Sequence, residues 1–285
     1  MRICLYWNKT AGGGISLREL TTLISRAGHH VAREVEDASE LPDHMDDVDV
    51  VVAAGGDGTV ARAARTLAGE SVPLAILPLG TANNIANSLD IRGEVAEVAR
   101  RWNDAEVVTI DVGAVDQKGK PRLFVESVGC GLVTACIEIG RETIEKGDPD
   151  SHMVEARDLY LDTLRDLRPA HYDLRIDGGE ISGEFLLVEA LNTPSIGPQL
   201  RFTKEVNAAD GLLSVVVVQD SERATLEAYL SALQGGSDEP AGFKSWRAQA
   251  VEISGADRMH VDDQVIDVEG PISINTRPSL LRILA

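Results

Sequence analysis

A chain of 285 residues that is 44% hydrophobic can bury two ordinary cores or one large one. Its net charge of -19 argues against nucleic-acid partners, whose affinity comes largely from Lys and Arg, and against tight docking on an anionic membrane. Three cysteines (Cys4, Cys130 and Cys136), none in a CxxC pair, argue against a disulfide framework or a structural zinc and point to a reducing, cytoplasmic compartment.

The N-terminal MRICLYWNKT lacks a signal-peptide layout, because Asn8 and Lys9 interrupt its short apolar stretch. No run approaches the ~20 apolar residues of a membrane span. Residues 2–7 read as a short buried strand. Leu17, Leu20 and Ile24 then line one face of a helix ending at Gly28. Residues 29–35 are a second strand. Residues 48–54, VDVVVAA, are the clearest strand, a β-branched run of the kind buried on both faces in parallel sheets. Val60, Ala63, Ala64 and Leu67 follow at helical spacing, with Gly69 as the C-terminal stop. Residues 72–79 form a fourth strand, and 81–89 and 94–102 are helices. Alternating strands and helices predict a doubly wound, mainly parallel α/β domain over residues 1–110.

Beyond residue 110 the period changes. Strands are expected at 107–115 and 121–129, and a helix at about 151–167. A hairpin is expected at 175–192, turning at Asp177-Gly178. Further strands are expected at 212–218, 250–255 and 268–275. Ser221 is a candidate cap for a helix that buries Leu226, Tyr229, Leu230 and Leu233. Residues 111–285 therefore predict a mostly antiparallel β-sandwich domain, whose last residues can pack back on the first.

The chemistry concentrates in Gly-rich turns. In VVAAGGDGT a buried strand runs into Gly55, Gly56, Asp57, Gly58 and Thr59, and a helix begins there. Such a helix start offers unsatisfied N–H groups and partial positive charge. Glycines let a phosphate approach the backbone. Asp57 then suits a magnesium ion among phosphates, or a hydroxyl donor. The plainer alternative is a tight turn with Asp57 near the helix cap. LPLGTANNIANSLDI (77–91) repeats the theme with Gly80, Thr81, Asn83 and Asn84, so two adjacent turns would converge on one cleft. Ordinary capping also accounts for the two asparagines.

GGDGT followed by LPLGTANN is similar to the diacylglycerol kinase catalytic-domain family, which includes bacterial lipid kinases, sphingosine kinases and ceramide kinases. The resemblance covers nearly the whole chain. Asn8-Lys9-Thr10-Ala11-Gly12 looks like the family's first-strand turn, and FVESVGCG (124–131) like the strand entering its second domain. NAADGLLSVVVV (207–218) resembles its Asp-Gly-x-Leu metal segment, and VDDQ (261–264) stands where the family has Asp-Gly-Glu. GGDGT alone is also found in NAD kinases and phosphofructokinases, but PLGTANN is not the NAD-kinase segment.

The resemblance implies an ATP- and Mg2+-dependent kinase acting on a lipid or lipid-like alcohol. Asn8, Thr10, Gly55 to Thr59, Gly80, Thr81 and Asn84 would hold the nucleotide. Asp210, with main-chain oxygens of Asn207 and Leu212, would hold magnesium. Asp262 would be the general base, assisted by Asp263 and Gln264. Taken by themselves, Asp210-Gly211 reads as a turn before a strand, and HVDDQV as a solvated hairpin turn. The chain departs from the family pattern at several positions. Asn84 replaces a common Asp, Asp263 a Gly, Gln264 a Glu and Lys9 a Pro, and Gly13 stands where some relatives have Lys. An amide neither takes a proton at neutral pH nor neutralises a cation. A nucleotide-binding regulator with a degraded site is therefore the second expectation, and an NAD kinase the third. The residues encode neither the acceptor nor an amphipathic basic anchor. Membrane contact is expected to be transient, and a homodimer is expected only as the commonest assembly.

Overall fold

The computed structural model describes residues 1–8, 15–143 and 149–285. They form two compact units, Met1–Asp111 with Ser279–Ala285, and Val112–Pro278.

The first unit alternates strands and helices in the expected order. Its elements are β1 (Arg2–Trp7), α1 (Leu17–Arg26), β2 (His30–Val35), β3 (Val50–Gly55), α2 (Asp57–Leu67), β4 (Leu74–Pro78), α3 (Asn84–Ser88) and α4 (Val95–Arg101). The strands lie in the order β2-β1-β3-β4, all parallel, and the end of the chain's last strand adds beside β4 with Ile283 opposite Leu74. Every residue of β3 is buried, which explains its unbroken apolar run. A capping box sets the start of α1: Ser16 accepts from the Glu19 amide, and the Glu19 side chain accepts from the Ser16 amide. Val60, Ala63, Ala64 and Leu67 of α2 are all buried. Between α1 and β3 a 3-10 stretch, Ala38–Asp47, was not legible in the sequence.

The helix expected over 81–89 shrinks to Asn84–Ser88. Asn83 takes a left-handed conformation (φ 49°) and folds its side chain back on Gly80, so the helix cannot begin earlier.

The strand β5 (Val107–Gln117) carries the chain into the second unit, where it pairs antiparallel with β6 (Lys120–Phe124). Then follow β7 (Ser127–Gly131), α5 (Leu132–Thr143), α6 (Pro149–Asp166), β8 (Ala170–Ile176) and β9 (Gly179–Leu191). The rest comprises β10 (Leu213–Gln219), α7 (Arg223–Gln234), β11 (Ser245–Ala248), β12 (Ala250–Ser254), β13 (Arg258–Val261), β14 (Gln264–Asp267) and β15 (Ile272–Leu284). The first half of β9 pairs with β8, and its second half lies between β7 and β10; all these pairings are antiparallel. Side chains alternate across the sheet. Val215 and Val217 enter one core with Phe124, Phe185 and Ile253, while Val216 and Val218 enter another with Leu132, Leu164, Leu226 and Leu230. This is the β-sandwich-like half. The expected hairpin turns at Asp177 and Gly178, both at positive φ.

Three expectations change here. The single strand at 121–129 is two, broken at Val125 and Glu126, whose amides both serve Asp262. The helix α5 was missed, because the mostly apolar LVTACIEIG directly continues a strand-like run and carries no helix-start signal. Ser221 does not cap α7: it lies in a one-turn 3-10 segment, closed by a box between Gln219 and Glu222.

All three cysteines are free and buried. Burial pushes the Cys4 thiol up to about 11, so it behaves as a small apolar side chain. Among the described residues no helix is long and apolar enough to cross a membrane.

Candidate functional site

The first unit brings the two Gly-rich turns together. Leu79 N–H donates to Gly55 O (2.9 Å), which ties the end of β4 to the end of β3. A Cβ built on Gly80 would stand 2.4 Å from Gly56 Cα, and one on Gly56 would stand 3.1 Å from Gly80 Cα. The two backbones therefore approach closely: position 80 leaves no room for a Cβ, and at position 56 one would fit only if Gly80 gave way by a few tenths of an ångström. Gly55 answers a different neighbour: a Cβ there would meet Thr59 Oγ1 at 2.5 Å. The expectation that these glycines clear room for a phosphate is thus incomplete, since the chain itself already occupies the space over each.

Side chains complete the junction. Asn8 Nδ2 donates to Thr59 Oγ1 (3.3 Å), and Thr59 is buried. Asp57 Oδ1 accepts from the Ile85 amide (3.0 Å), so the acid of the first loop holds the first turn of α3 behind the second. Asn83 locks Gly80 by accepting from its N–H (2.9 Å) and donating to its C=O (2.7 Å). Asn84 is buried, whereas Thr81 and Gly58 are half-buried. Gly56 is the N-cap of α2 and brings no side-chain cap, while the Thr59 amide closes the first turn onto Gly56 O (2.9 Å). Thr10 lies outside the described residues.

The acidic turns of the second unit have partners of their own. Asp262 sits at positive φ (52°) in the two-residue turn between β13 and β14 and is buried. Its Oδ1 accepts from the amides of Val125 (2.9 Å) and Glu126 (2.8 Å), and its own N–H donates to Ser127 O (2.8 Å). Asn192 fixes the same link from another direction, donating from Nδ2 to Val125 O and from its amide to Glu126 O. A carboxylate accepting two amide donors is held at a set angle. Asp263 is half-buried beside it. Gln264 Oε1 accepts from Arg122 (2.8 Å), so its amide is tied to a cation.

Asp210 pairs with Arg247, whose Nη2 lies between both carboxylate oxygens and also reaches Leu212 O (3.4 Å). Asn207 Oδ1 accepts from the Ala209 amide (3.0 Å). Two of the three oxygen sources expected to hold magnesium are therefore engaged by a guanidinium. Among the described residues no group of three or more His, Cys, Asp or Glu could hold a metal ion. This set does not fit a divalent cation while the pair stands.

Sequence reasoning missed Arg247, which carries no motif, and a buried polar network beneath the Asp262 turn. His260 Nε2 lies 3.2 Å from Glu189 Oε2 and 3.1 Å from Ser127 Oγ, and its Nδ1 is 3.1 Å from Thr134 Oγ1. Glu189 and His260 are fully buried. Burial raises the Glu189 carboxyl above its usual value, and His260 opposes that rise. A Cβ on Gly129 would stand 2.4 Å from Glu189 Cδ, so the glycine in SVGCG makes room for this acid.

Comparisons with known proteins agree with this architecture. The sequence profile described as "Diacylglycerol kinase catalytic domain" matches residues 2–115. The one described as "YegS C-terminal NAD kinase beta sandwich-like domain" matches residues 154–285. A protein named "Diacylglycerol kinase" from Mycobacterium tuberculosis is 26% identical, the match covering 97% of this chain and 93% of that protein. A crystal structure of a diacylglycerol kinase from Bacillus anthracis superposes with a TM-score of 0.76 at 21% identity, covering 99% of this chain and 96% of that one. An NAD kinase from Archaeoglobus fulgidus in complex with ATP superposes at 0.55 with 13% identity, over 100% and 94% of the two chains. At these identities the two structures speak to the fold alone.

Proposed function

Since the chain belongs to the diacylglycerol kinase catalytic-domain family, we propose that it transfers the γ-phosphoryl group of ATP to a hydroxyl of a lipid or lipid-like alcohol. The junction of Gly56 and Gly80 carries this reading. It places an uncapped helix start, a second tight turn and Asp57 side by side on the first unit. Backbone donors at α2 suit the phosphates, Asn8 stands just after the neighbouring strand β1, and Thr10 is proposed as a nucleotide ligand on the family resemblance alone. The nucleotide would arrive as its magnesium complex, because phosphoryl transfer works through positioning and charge neutralisation. Asp57 is assigned to that phosphate network, its Oδ1 anchored on Ile85.

On the second unit Asp262 is the proposed general base. The amides of Val125 and Glu126 fix its Oδ1 and set the carboxyl plane, and proton acceptance from the acceptor hydroxyl falls to Oδ2. Asp263 and Gln264 flank it, the latter oriented by Arg122. Residues 1–110 thus take the nucleotide and 111–285 the acceptor, in a cytoplasmic protein that meets its lipid transiently.

A second reading is a nucleotide-binding regulator. One observation favours it: Gln264 stands in the late turn with its amide tied to Arg122, where an acid would serve catalysis. Turnover decides between them. Purified protein with magnesium and ATP is offered diacylglycerol, monoacylglycerol, sphingoid and isoprenoid alcohols in mixed micelles. The kinase predicts a phosphorylated lipid from at least one class. ATP binding without any phosphorylated product would favour the regulator, and phosphorylation of NAD would redirect the assignment altogether.

A further inference from the structure

Arg247 joins three segments of the second unit. Its Nη2 donates to Asp210 Oδ1 (2.5 Å), touches Asp210 Oδ2 and reaches Leu212 O (3.4 Å). Its Nη1 donates to Glu205 O (2.7 Å) and to Ser214 Oγ, and Ser214 Oγ in turn donates to Glu205 O. Strand register fixes where this guanidinium stands, because Arg247 of β11 lies directly opposite Ser214 of β10. The ion pair is partly buried, with side chains 21% (Arg247) and 34% (Asp210) exposed.

Chemically this is a cation site filled from within. A hard divalent ion gathers six or more oxygens, typically carboxylate, carbonyl and water. Here one carboxylate and the carbonyls of Glu205 and Leu212 gather around a planar group with five donors and a permanent charge. One Asp balances one guanidinium. A divalent ion on the same carboxylate would add two positive charges beside Arg247, and among the described residues no group of three or more His, Cys, Asp or Glu gathers to offset them.

We infer that Arg247 takes the place of a structural cation in the 205–214 segment, and that folding of the second unit does not depend on magnesium. The inference concerns the fold of that segment, so it stands or falls apart from the kinase reading.

The test is thermal unfolding of the nucleotide-free protein in EDTA and in millimolar magnesium. Ionic strength is matched with NaCl, because a chain of net charge -19 responds to salt alone. The wild type is expected to unfold at the same temperature in both. Arg247→Met is expected to unfold lower in EDTA, on the order of 5 °C for a unit of this size, and to regain part of that loss in magnesium as the vacated oxygens take the ion. A magnesium-dependent rise in the wild type that Asp210→Asn removes would overturn the inference. So would an Arg247→Met variant that unfolds lower but gains nothing from magnesium. Should that variant fail to fold, the wild-type and Asp210→Asn pair decides alone.

Discussion

The two Gly-rich turns of the first unit and the two acidic turns of the second make opposite use of similar residues. In the first unit glycines bring backbone against backbone, and the acid that follows them, Asp57, accepts from the Ile85 amide in the next turn of the same sheet. In the second unit each acid is answered from far along the chain, Asp262 by amides 136 and 137 residues away and Asp210 by an arginine 37 residues away. A glycine-rich loop therefore announces its own geometry. An acid announces only a charge, and the residue that meets the charge decides whether it holds a metal, a proton or the fold.

Substitutions at four positions probe this contrast, the largest effect first. Gly80→Ala should be the most damaging, since its new carbon would sit 2.4 Å from Gly56 Cα, a backbone atom with nowhere to go. A loss on the order of 3 kcal/mol in urea unfolding is expected. Wild-type stability would mean the turns do not touch. Asp262→Ala should cost about 2 kcal/mol or more by stranding the Val125 and Glu126 amides, whereas Asp262→Asn keeps an acceptor there and should cost less. Equal losses in the two variants would remove the amides from the account.

Glu189→Gln sharpens the contrast through pH. Burial raises the folded pKa of Glu189 above its usual 4.5, so the folded chain holds a proton that the unfolded chain releases. Its contribution to stability is fully present below pH 4.5 and is lost as pH rises through the folded value. The urea midpoint of Glu189→Gln relative to wild type should accordingly improve as pH climbs from 4.5. A constant difference would mean that Glu189 does not titrate differently in the two states. Gln264→Glu should be the mildest change. Arg122 already donates to this position, and the new exposed pair should alter stability by no more than ~0.5 kcal/mol. A gain in turnover in that variant would locate the missing carboxylate at 264.

Much of the first unit was legible because its signals are local. The run VVVAAG, the spacing of Val60, Ala63, Ala64 and Leu67, and the paired Gly-Thr turns each carry their meaning within a dozen residues. The short α3 was not legible, because one residue in a left-handed conformation moved the helix start. In the second unit several strands and the Asp177-Gly178 turn could be read, but β11 was not expected, β13 and β14 were read only as a solvated hairpin turn, and the break at Val125 and Glu126 depends on a carboxylate near the end of the chain. Arg247 in SWRA looks like any surface arginine until β10 and β11 are paired. Glu189 lies in the apolar run FLLVEAL, where no neighbour in sequence reveals His260.

The most direct measurement is ATP affinity and lipid phosphorylation in Asp57→Asn and Asp262→Asn, both checked for wild-type thermal unfolding. Division of labour between the two regions predicts that Asp57→Asn binds ATP more weakly and loses turnover. Asp262→Asn should bind ATP as the wild type does and transfer no phosphate. Wild-type turnover by Asp262→Asn would contradict the account, because the proton acceptor would then lie elsewhere.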